Sequence, residues 1–444
     1  MSEIVYRISS LLEQLLVSVP KGSNLGLFPL LWALLSGKLL ANRGAVSAAL
    51  WDLRLPKEAV RRSLAALAYG RFTLPLLLVA WQQVIREEGH FRAHRYEGYS
   101  AVACDLVGFF RPRLFGCASK HYHSQANKVL PAVVLALVAP VGSVGQKRLA
   151  LPRLLVRADP ATASEAALKQ MALKQATQGL ACDEALLVDA GFALADLLAL
   201  QECRFVARLP KNFTARSNCL PARAGAGRPR QYGNLVRPLA RRYRGKRLWA
   251  SPPDAVARFK DGGKTVRAHL YENLVQKSAK PGTASFRCVV IYHPDYKQPL
   301  VLATNLRVSA YARYRLYRDR WPIETVAQAA KQVLGAERAF VFSLESRMRL
   351  PELAILAGSL LSYVAATAKP VATGFWDRAA RPTCGRLRRV LSRVDFSELA
   401  LSEGQLCKKA SVTEHLKKGV EAHRRQKGEH LFPKLLTREA FTGN

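Results

Sequence analysis

Apolar positions recur at helical spacing through roughly the first 95 residues. Stripes at Leu30–Leu40 and Leu74–Val84 predict helices, and between them Ala45–Trp51 and Lys57–Leu67 predict two short ones joined by 52–56. Pro56 suits a helix start, and the second short helix exposes Arg61 and Arg62. The pair has the outline of a helix-turn-helix, although short paired helices serve more often as packing units of a bundle.

From about residue 98 the period shortens. Ala101–Cys104 predicts a strand ending in Asp105, and Val129–Val138 and Leu149–Val156 predict two more. Thr162–Leu180 alternates as an amphipathic helix. Ala185–Val188 follows as a strand ending in Asp189, then a helix around Ala193–Leu200 and a strand at Arg204–Leu209. The order β-β-β-α-β-α-β predicts a mixed sheet with helices on both faces. Residues 210 to about 305 break this pattern with Gly-rich turns and a hairpin, Phe286–Tyr292 and Leu300–Thr304, and read as an inserted β-rich subdomain. A helical segment, Ala310–Leu334, resumes the interrupted fold. The 16-residue apolar run Leu353–Ala368 contains Ser359 and Ser362 and predicts a core helix, being short for a membrane span. The expected organisation is a helical region at 1–97, a core in two parts at 98–209 and 306–370, an insertion at 210–305, and a basic helical region at 371–444.

Charge changes this picture. Sixty-eight Lys and Arg oppose 32 Asp and Glu across 444 residues, a net charge of +36. Such an excess on a folded chain points to a polyanion, above all nucleic acid. The bases cluster: between Cys203 and Pro253 there are 13 Lys or Arg and no acid, whereas Arg381–Lys434 mixes 13 bases with six acids. Eight cysteines form no Cys-x-x-Cys pair and have no histidine at metal-finger spacing, which suits reduced thiols in a cytosolic protein. The N-terminus has no signal-peptide layout.

The densest chemistry sits near residue 320. Tyr317, Arg320, Glu324 and Lys331 are spaced by 3, 4 and 7 residues. On one unbroken helix, at about 100° per residue, they share roughly a 60° arc. A carboxylate among two cations and a phenol suits a phosphodiester and a metal ion. Pro322 lies inside the stripe and can kink or restart the helix, in which case only Glu324 and Lys331 share a face. Asp105 and Asp189, each ending an apolar run, can converge with Glu324 beside a sheet, where hard oxygen ligands of this kind hold paired Mg²⁺ ions. Taken singly, an acid at a strand end is more often a cap or an edge residue.

Through Asp105, Asp189 in Val-Asp-Ala-Gly-Phe, Tyr317, Arg320, Glu324 in Arg-Trp-Pro-Ile-Glu, and Lys331, the chain resembles the DDE transposases of bacterial insertion sequences, in the cut-and-paste branch with a Tyr-Arg-Glu-Lys signature. The resemblance spans about 98–368. It implies an RNase H-like α/β core interrupted by a β-rich insertion, which the 135-residue gap from Asp189 to Glu324 would hold, with helical regions at both ends. It further implies that Asp105, Asp189 and Glu324 are catalytic and hold two Mg²⁺ ions, with Mn²⁺ as a substitute, and that Tyr317, Arg320 and Lys331 contact DNA near the cleaved phosphate. Where the family often has Thr or Ser just after the first Asp, this chain has Leu106, Val107 and Gly108. Asp159 is the rival for that position.

Outside this centre, Gly227–Arg230 has the shape of a minor-groove hook presenting Arg228 and Arg230, or equally of a solvated loop. Arg241, Arg242, Arg244, Lys246 and Arg247 interleave with Tyr243 and Trp249 as on strand-tracking surfaces. Trp249 and Tyr296 are candidates to hold a flipped base, although packing roles are commoner for both. His121 and His123 read as surface residues. The expected function is a metal-dependent transposase acting on double-stranded DNA ends and target, as a homodimer on paired ends, at the bacterial nucleoid and with no membrane role. A non-catalytic DNA-binding descendant and a stand-alone RNase H-like nuclease are the alternatives.

Overall fold

The computed structural model describes residues 3–399 apart from 21–23, 25, 112–118, 158–163, 223–229, 342 and 373. Asp159 and Arg228 therefore lie outside the described residues, as does the chain beyond 399. Helices open the chain: α1 (Glu3–Val17), α2 (Leu27–Leu35), α3 (Lys38–Ala41), α4 (Val46–Trp51), α5 (Lys57–Tyr69) and α6 (Leu74–Glu88). The α4–α5 pair predicted from the pattern is present. Val60, Ser63, Ala66 and Leu67 of α5 are buried, while Arg61 and Arg62 stay in solvent beside Glu58.

The sheet begins earlier than the periodicity suggests. β1 (Phe91–Ala93) and β2 (Arg95–Tyr96) precede β3 (Tyr99–Phe110), and then come β4 (Lys120–His123), β5 (Lys128–Val144), β6 (Lys147–Ala150) and β7 (Leu154–Arg157). Helix α7 (Glu165–Gln178), β8 (Glu184–Val188), α8 (Leu194–Ala199) and β9 (Phe205–Arg208) complete the first half. The expected β-β-β start is thus too simple. Strand β5 is long enough to pair with β3, β4, β6, β7 and β1 in turn. At the centre the order is β7-β5-β3-β8-β9, with β5 antiparallel to both β7 and β3 and with β3, β8 and β9 mutually parallel. This is the RNase H-like arrangement. Strand β3 also differs from expectation, because it runs five residues past Asp105. Val107 and Phe109 are buried there, and the ladder with β5 continues to Phe110↔Ala132, so the acid does not end the strand.

Residues 210–305 supply β10 (Ala215–Ser217), β11 (Leu235–Val236), β12 (Arg241–Tyr243), β13 (Lys246–Leu248), β14 (Ala255–Asp261), β15 (Lys264–Gln276), β16 (Phe286–Tyr292) and β17 (Leu300–Thr304). All but the β12–β13 hairpin extend the same sheet, entering through the antiparallel β17–β9 pair. The chain then forms α9 (Ala310–Arg318), α10 (Pro322–Gln328), a π-helical turn (Ala329–Val333), α11 (Leu344–Thr367) and α12 (Cys384–Leu391).

Helix α11 is long and apolar enough to cross a membrane by length and composition, yet 89% of its apolar window is buried inside the protein. The indole N–H of Trp81 in α6 donates to Ser359 Oγ at 3.1 Å, and Arg157 at the end of β7 is paired with the buried Glu352 at 2.7 Å. Gly358 lets the π-helical turn approach: a Cβ there would stand 3.1 Å from Ala330 N and 3.2 Å from Ala329 Cβ.

The expected single helix Ala310–Leu334 is broken at 319–321, and the reason is local. Asp319 is buried, its side chain only 2% exposed. Its carboxylate receives His94 Nδ1 and the Tyr96 hydroxyl, each at 2.8 Å, and pairs with Arg148 of β6, which also donates to Arg318 O at 2.8 Å. Pro322 restarts the helix at its first position, where no N–H is needed. Tyr317 and Glu324 therefore sit on different helices, and the 60° arc does not exist.

Burial alone would raise the pKa of Asp319, but His94, Arg148 and Tyr96 outweigh it and hold the carboxyl below its ordinary value. A depressed folded pKa gives stability that is present above the unfolded value and lost as pH falls through the folded one. Asp319→Asn should therefore lower stability by about 2 kcal/mol at pH 7. The deficit should shrink once pH falls below about 4, as followed by urea unfolding across that range. A deficit independent of pH would mean that the carboxylate charge is not what holds the break.

Candidate active site

The ladder between β3 and β8 ends at Ala103 opposite Leu187; Asp105 follows two residues further along β3, and Asp189 two residues further along the chain, just past the end of β8. Ala101, Ala103, Ala185 and Leu187 all pack into the core on one face of the sheet, and by the two-residue alternation of strands both acids project toward that face. Helix α10 packs on this face against β3 and β6 and carries Glu324. Asp105 and Glu324 are joined through a single guanidinium: Arg320 donates to Asp105 Oδ2 at 2.8 Å and to Glu324 Oε1 at 2.6 Å. Each strand acid is further oriented by its own backbone. Leu106 N–H donates to Asp105 Oδ1 and Gly191 N–H to Asp189 Oδ1, both at 2.8 Å, and a Cβ at Gly191 would stand 2.9 Å from that oxygen.

Burial drives the pKa of Asp105 up to about 6; Arg320 opposes the rise, while the charges of Asp189 and Glu324 add to it. A carboxylate in the field of two others, partly withdrawn from water, favours an added cation. In this state Arg320 is that cation. Accordingly, among the described residues no set of three His, Cys, Asp or Glu side chains is arranged to hold a metal ion as it stands. Two buried polar atoms beside it have no hydrogen-bond partner, the Tyr317 hydroxyl and Arg320 Nε. Such atoms suit a site that takes a further polar group. The donor chemistry thus fits a hard divalent cation, provided that the Arg320 side chain turns aside.

Lys331, in the π-helical turn, lies with its ammonium 5.5 and 5.3 Å from the ring centres of Phe109 and Phe110 and 3.7 Å from Glu337. Burial lowers its pKa. A cleft of 430 Å³ is lined by Asp105, Glu324, Lys331, His121 and His123 among others. The sequence pattern reads these two histidines as surface residues, and both are half-buried at the cleft.

Of the predicted outer contacts, Arg230 is exposed. The β12–β13 hairpin turns through Arg244 and Gly245, both at positive φ. Arg242 stands directly opposite Arg247, Lys246 opposite Tyr243, and the Arg247 guanidinium lies 3.9 Å above the 65% exposed Trp249 ring. Arg241 is tied back to Asn212 O. Tyr296 is engaged, its hydroxyl 3.1 Å from that of Tyr314.

Residues 152–350 match the family model of the transposase DDE domain. Over this span the chain is similar to a DDE-type transposase domain. The matched span includes Asp189, Tyr317, Arg320, Glu324 and Lys331, and begins after Asp105. No curated protein matches the chain. Transposases of this type act on DNA and use divalent metals.

An acid whose folded pKa is raised loses stability as pH climbs from the unfolded to the folded value. In Arg320→Ala the cation that restrains Asp105 is gone, so this falling window should extend above pH 6. The variant should lose more stability relative to the parent protein at pH 8 than at pH 5.5, measured by thermal unfolding in chelator. An equal loss at both values would show that Arg320 does not neutralise Asp105.

Proposed function

We propose that the protein is a transposase of the cut-and-paste type that cleaves DNA at the ends of its element and joins the freed 3′-hydroxyls to a target. The observation that carries this reading is the placement of Asp105 on β3 and Asp189 just past the end of the adjacent parallel β8, with Arg320 joining Asp105 to Glu324. Asp105, Asp189 and Glu324 would hold divalent ions, Mg²⁺ or Mn²⁺. When bound, these would supply Lewis-acid stabilisation of the scissile phosphate and an acidified water. Arg320, released from the two carboxylates, then has its fork of donors free for a phosphate, and the Tyr317 hydroxyl beside it can follow. Lys331 positions the backbone within the cleft. The acid-free hairpin, with Trp249 stacked on Arg247, binds DNA away from the chemistry, and two copies of the chain hold paired ends. This assigns the work to the bacterial nucleoid.

The test uses a duplex carrying the inverted repeat that bounds the gene. With Mg²⁺ the parent protein should nick it, whereas Glu324→Gln and Asp189→Asn should each lose cleavage by at least about 100-fold while binding it undiminished. Lys331→Ala should bind more weakly and lose cleavage less steeply. Full cleavage by Glu324→Gln would leave a DNA-binding protein with an unused acidic cluster.

Arg242, Arg244 and Lys246 are exposed on a hairpin without an acid, and Arg242 directly opposes Arg247, a like-charge pair that destabilises a free hairpin and that a polyanion relieves. Replacing Arg242, Arg244 and Lys246 with Ala should flatten the salt dependence of DNA binding by about 0.9 counterion for each lost phosphate contact. An unchanged slope would remove the hairpin from the interface.

A further inference from the structure

The wall of the cleft formed by β4 carries chemistry that the acids do not use. His121, Tyr122 and His123 all line the cleft, the two imidazoles half-buried and Tyr122 half-exposed with its hydroxyl donating to Asn127 Oδ1 at 2.6 Å. His121 Nδ1 lies 2.9 Å from Glu165 Oε2, at the start of α7, and Glu165 is also paired with Lys169 at 2.7 Å. Its ring lies over Gly108, where a Cβ would stand 2.6 Å from His121 Cδ2. His123 Nδ1 accepts from Ala126 N–H at 3.1 Å. An imidazole nitrogen that accepts carries no hydrogen, so the His123 proton is on Nε2, leaving a neutral donor. Phe110 packs against both imidazoles, its ring centre 6.0 Å from that of His121 and 4.4 Å from that of His123, and the Lys331 ammonium stands over the same ring. Gly108, Glu165 and Phe110 thus fix two rings at a cleft that the acids also line.

We infer that this wall is a second phosphodiester site, gripping the DNA strand one or two nucleotides from the scissile bond; the inference rests on the transposase reading above. His123 donates Nε2–H to a non-bridging phosphate oxygen and Lys331 adds its charge. His121, anchored to Glu165, is a positioning residue that holds Phe110 and His123 in place. A neutral donor releases no counterion, so its contribution differs in kind from that of a lysine.

The experiment measures binding of the same inverted-repeat duplex with Ca²⁺ in place of Mg²⁺, together with variants of the duplex carrying one methylphosphonate at each position near the cleavage site. His123→Ala should bind the unmodified duplex about three- to tenfold more weakly with an unchanged salt slope, whereas Lys331→Ala should change both. His123→Gln, which restores a neutral N–H, should recover most of the affinity. In the parent protein one flanking methylphosphonate should weaken binding by a comparable factor, and His123→Ala should lose nothing further at that position. Equal affinities for parent and His123→Ala, or losses at that methylphosphonate that simply multiply, would overturn the inference while leaving the transposase reading intact. A parent protein that neither binds nor nicks the unmodified duplex would instead overturn that reading. Should His123→Ala fail to fold, His123→Gln and the methylphosphonate scan on the parent protein still decide: no loss at any flanking position would exclude the site.

Discussion

One buried carboxylate determines where the helical segment after the insertion breaks. Asp319 has no access to water and would be poorly tolerated without partners, yet three elements supply them: His94 and Tyr96 at the sheet edge and Arg148 on β6. Removing such a charge from water is unfavourable unless its hydrogen bonds are met, and meeting them fixes α9 against the sheet at its last residue. The next residue is Arg320, and the following turn begins α10. The direction in which Arg320 and Glu324 point is therefore a consequence of satisfying Asp319, which itself takes no part in the cleft.

The same principle, applied to the cleft, gives a site held in balance. Asp105, Asp189 and Glu324 on one face would repel one another if left alone, and the raised pKa of Asp105 records that repulsion together with burial. Arg320 relieves it from inside the chain. A guanidinium is a reversible counterion: its two contacts are hydrogen bonds, and Glu324, half exposed, is free to exchange its partner. A site neutralised in this way has its acids balanced without an added cation.

The sequence pattern made some of this legible and hid the rest. The hairpin Phe286–Tyr292 and Leu300–Thr304 appeared with the predicted bounds because both strands are apolar runs with a polar turn between them. The α4–α5 pair was visible for a similar reason. Strand β3 was cut short on paper because Asp105 interrupts its apolar run, although Val107 and Phe109 continue the buried face beyond it. The broken helix was hidden because a tertiary network imposes the break; only Pro322 hinted at it. Tyr317, Arg320, Glu324 and Lys331 could be chosen by residue type and spacing, but their arrangement could not. Arg320 lies between two acids, and Lys331 lies on a π-helical turn that Gly358 admits. The histidine wall stayed invisible because its meaning depends on Glu165 and Phe110, far from it in sequence or on another strand.

The extension of the sheet also ties the long insertion to helix α9. Strand β15 carries Tyr271, whose hydroxyl donates to Pro238 O and Ser251 O at 3.3 and 3.0 Å and so pins the base of the basic hairpin. At its other end β15 turns through Gly262 into β14 and presents Asp261. That carboxylate accepts from the Tyr314 hydroxyl at 3.0 Å and pairs with Arg318 at 2.5 Å, both on α9. Helix α9 is thus held twice over, by Asp261 from the insertion and, through its own C-cap Asp319, by His94, Tyr96 and Arg148. The base of the basic hairpin and the helix that precedes Arg320 are therefore tied to the two paired strands β14 and β15, the first through Tyr271 and the second through Asp261.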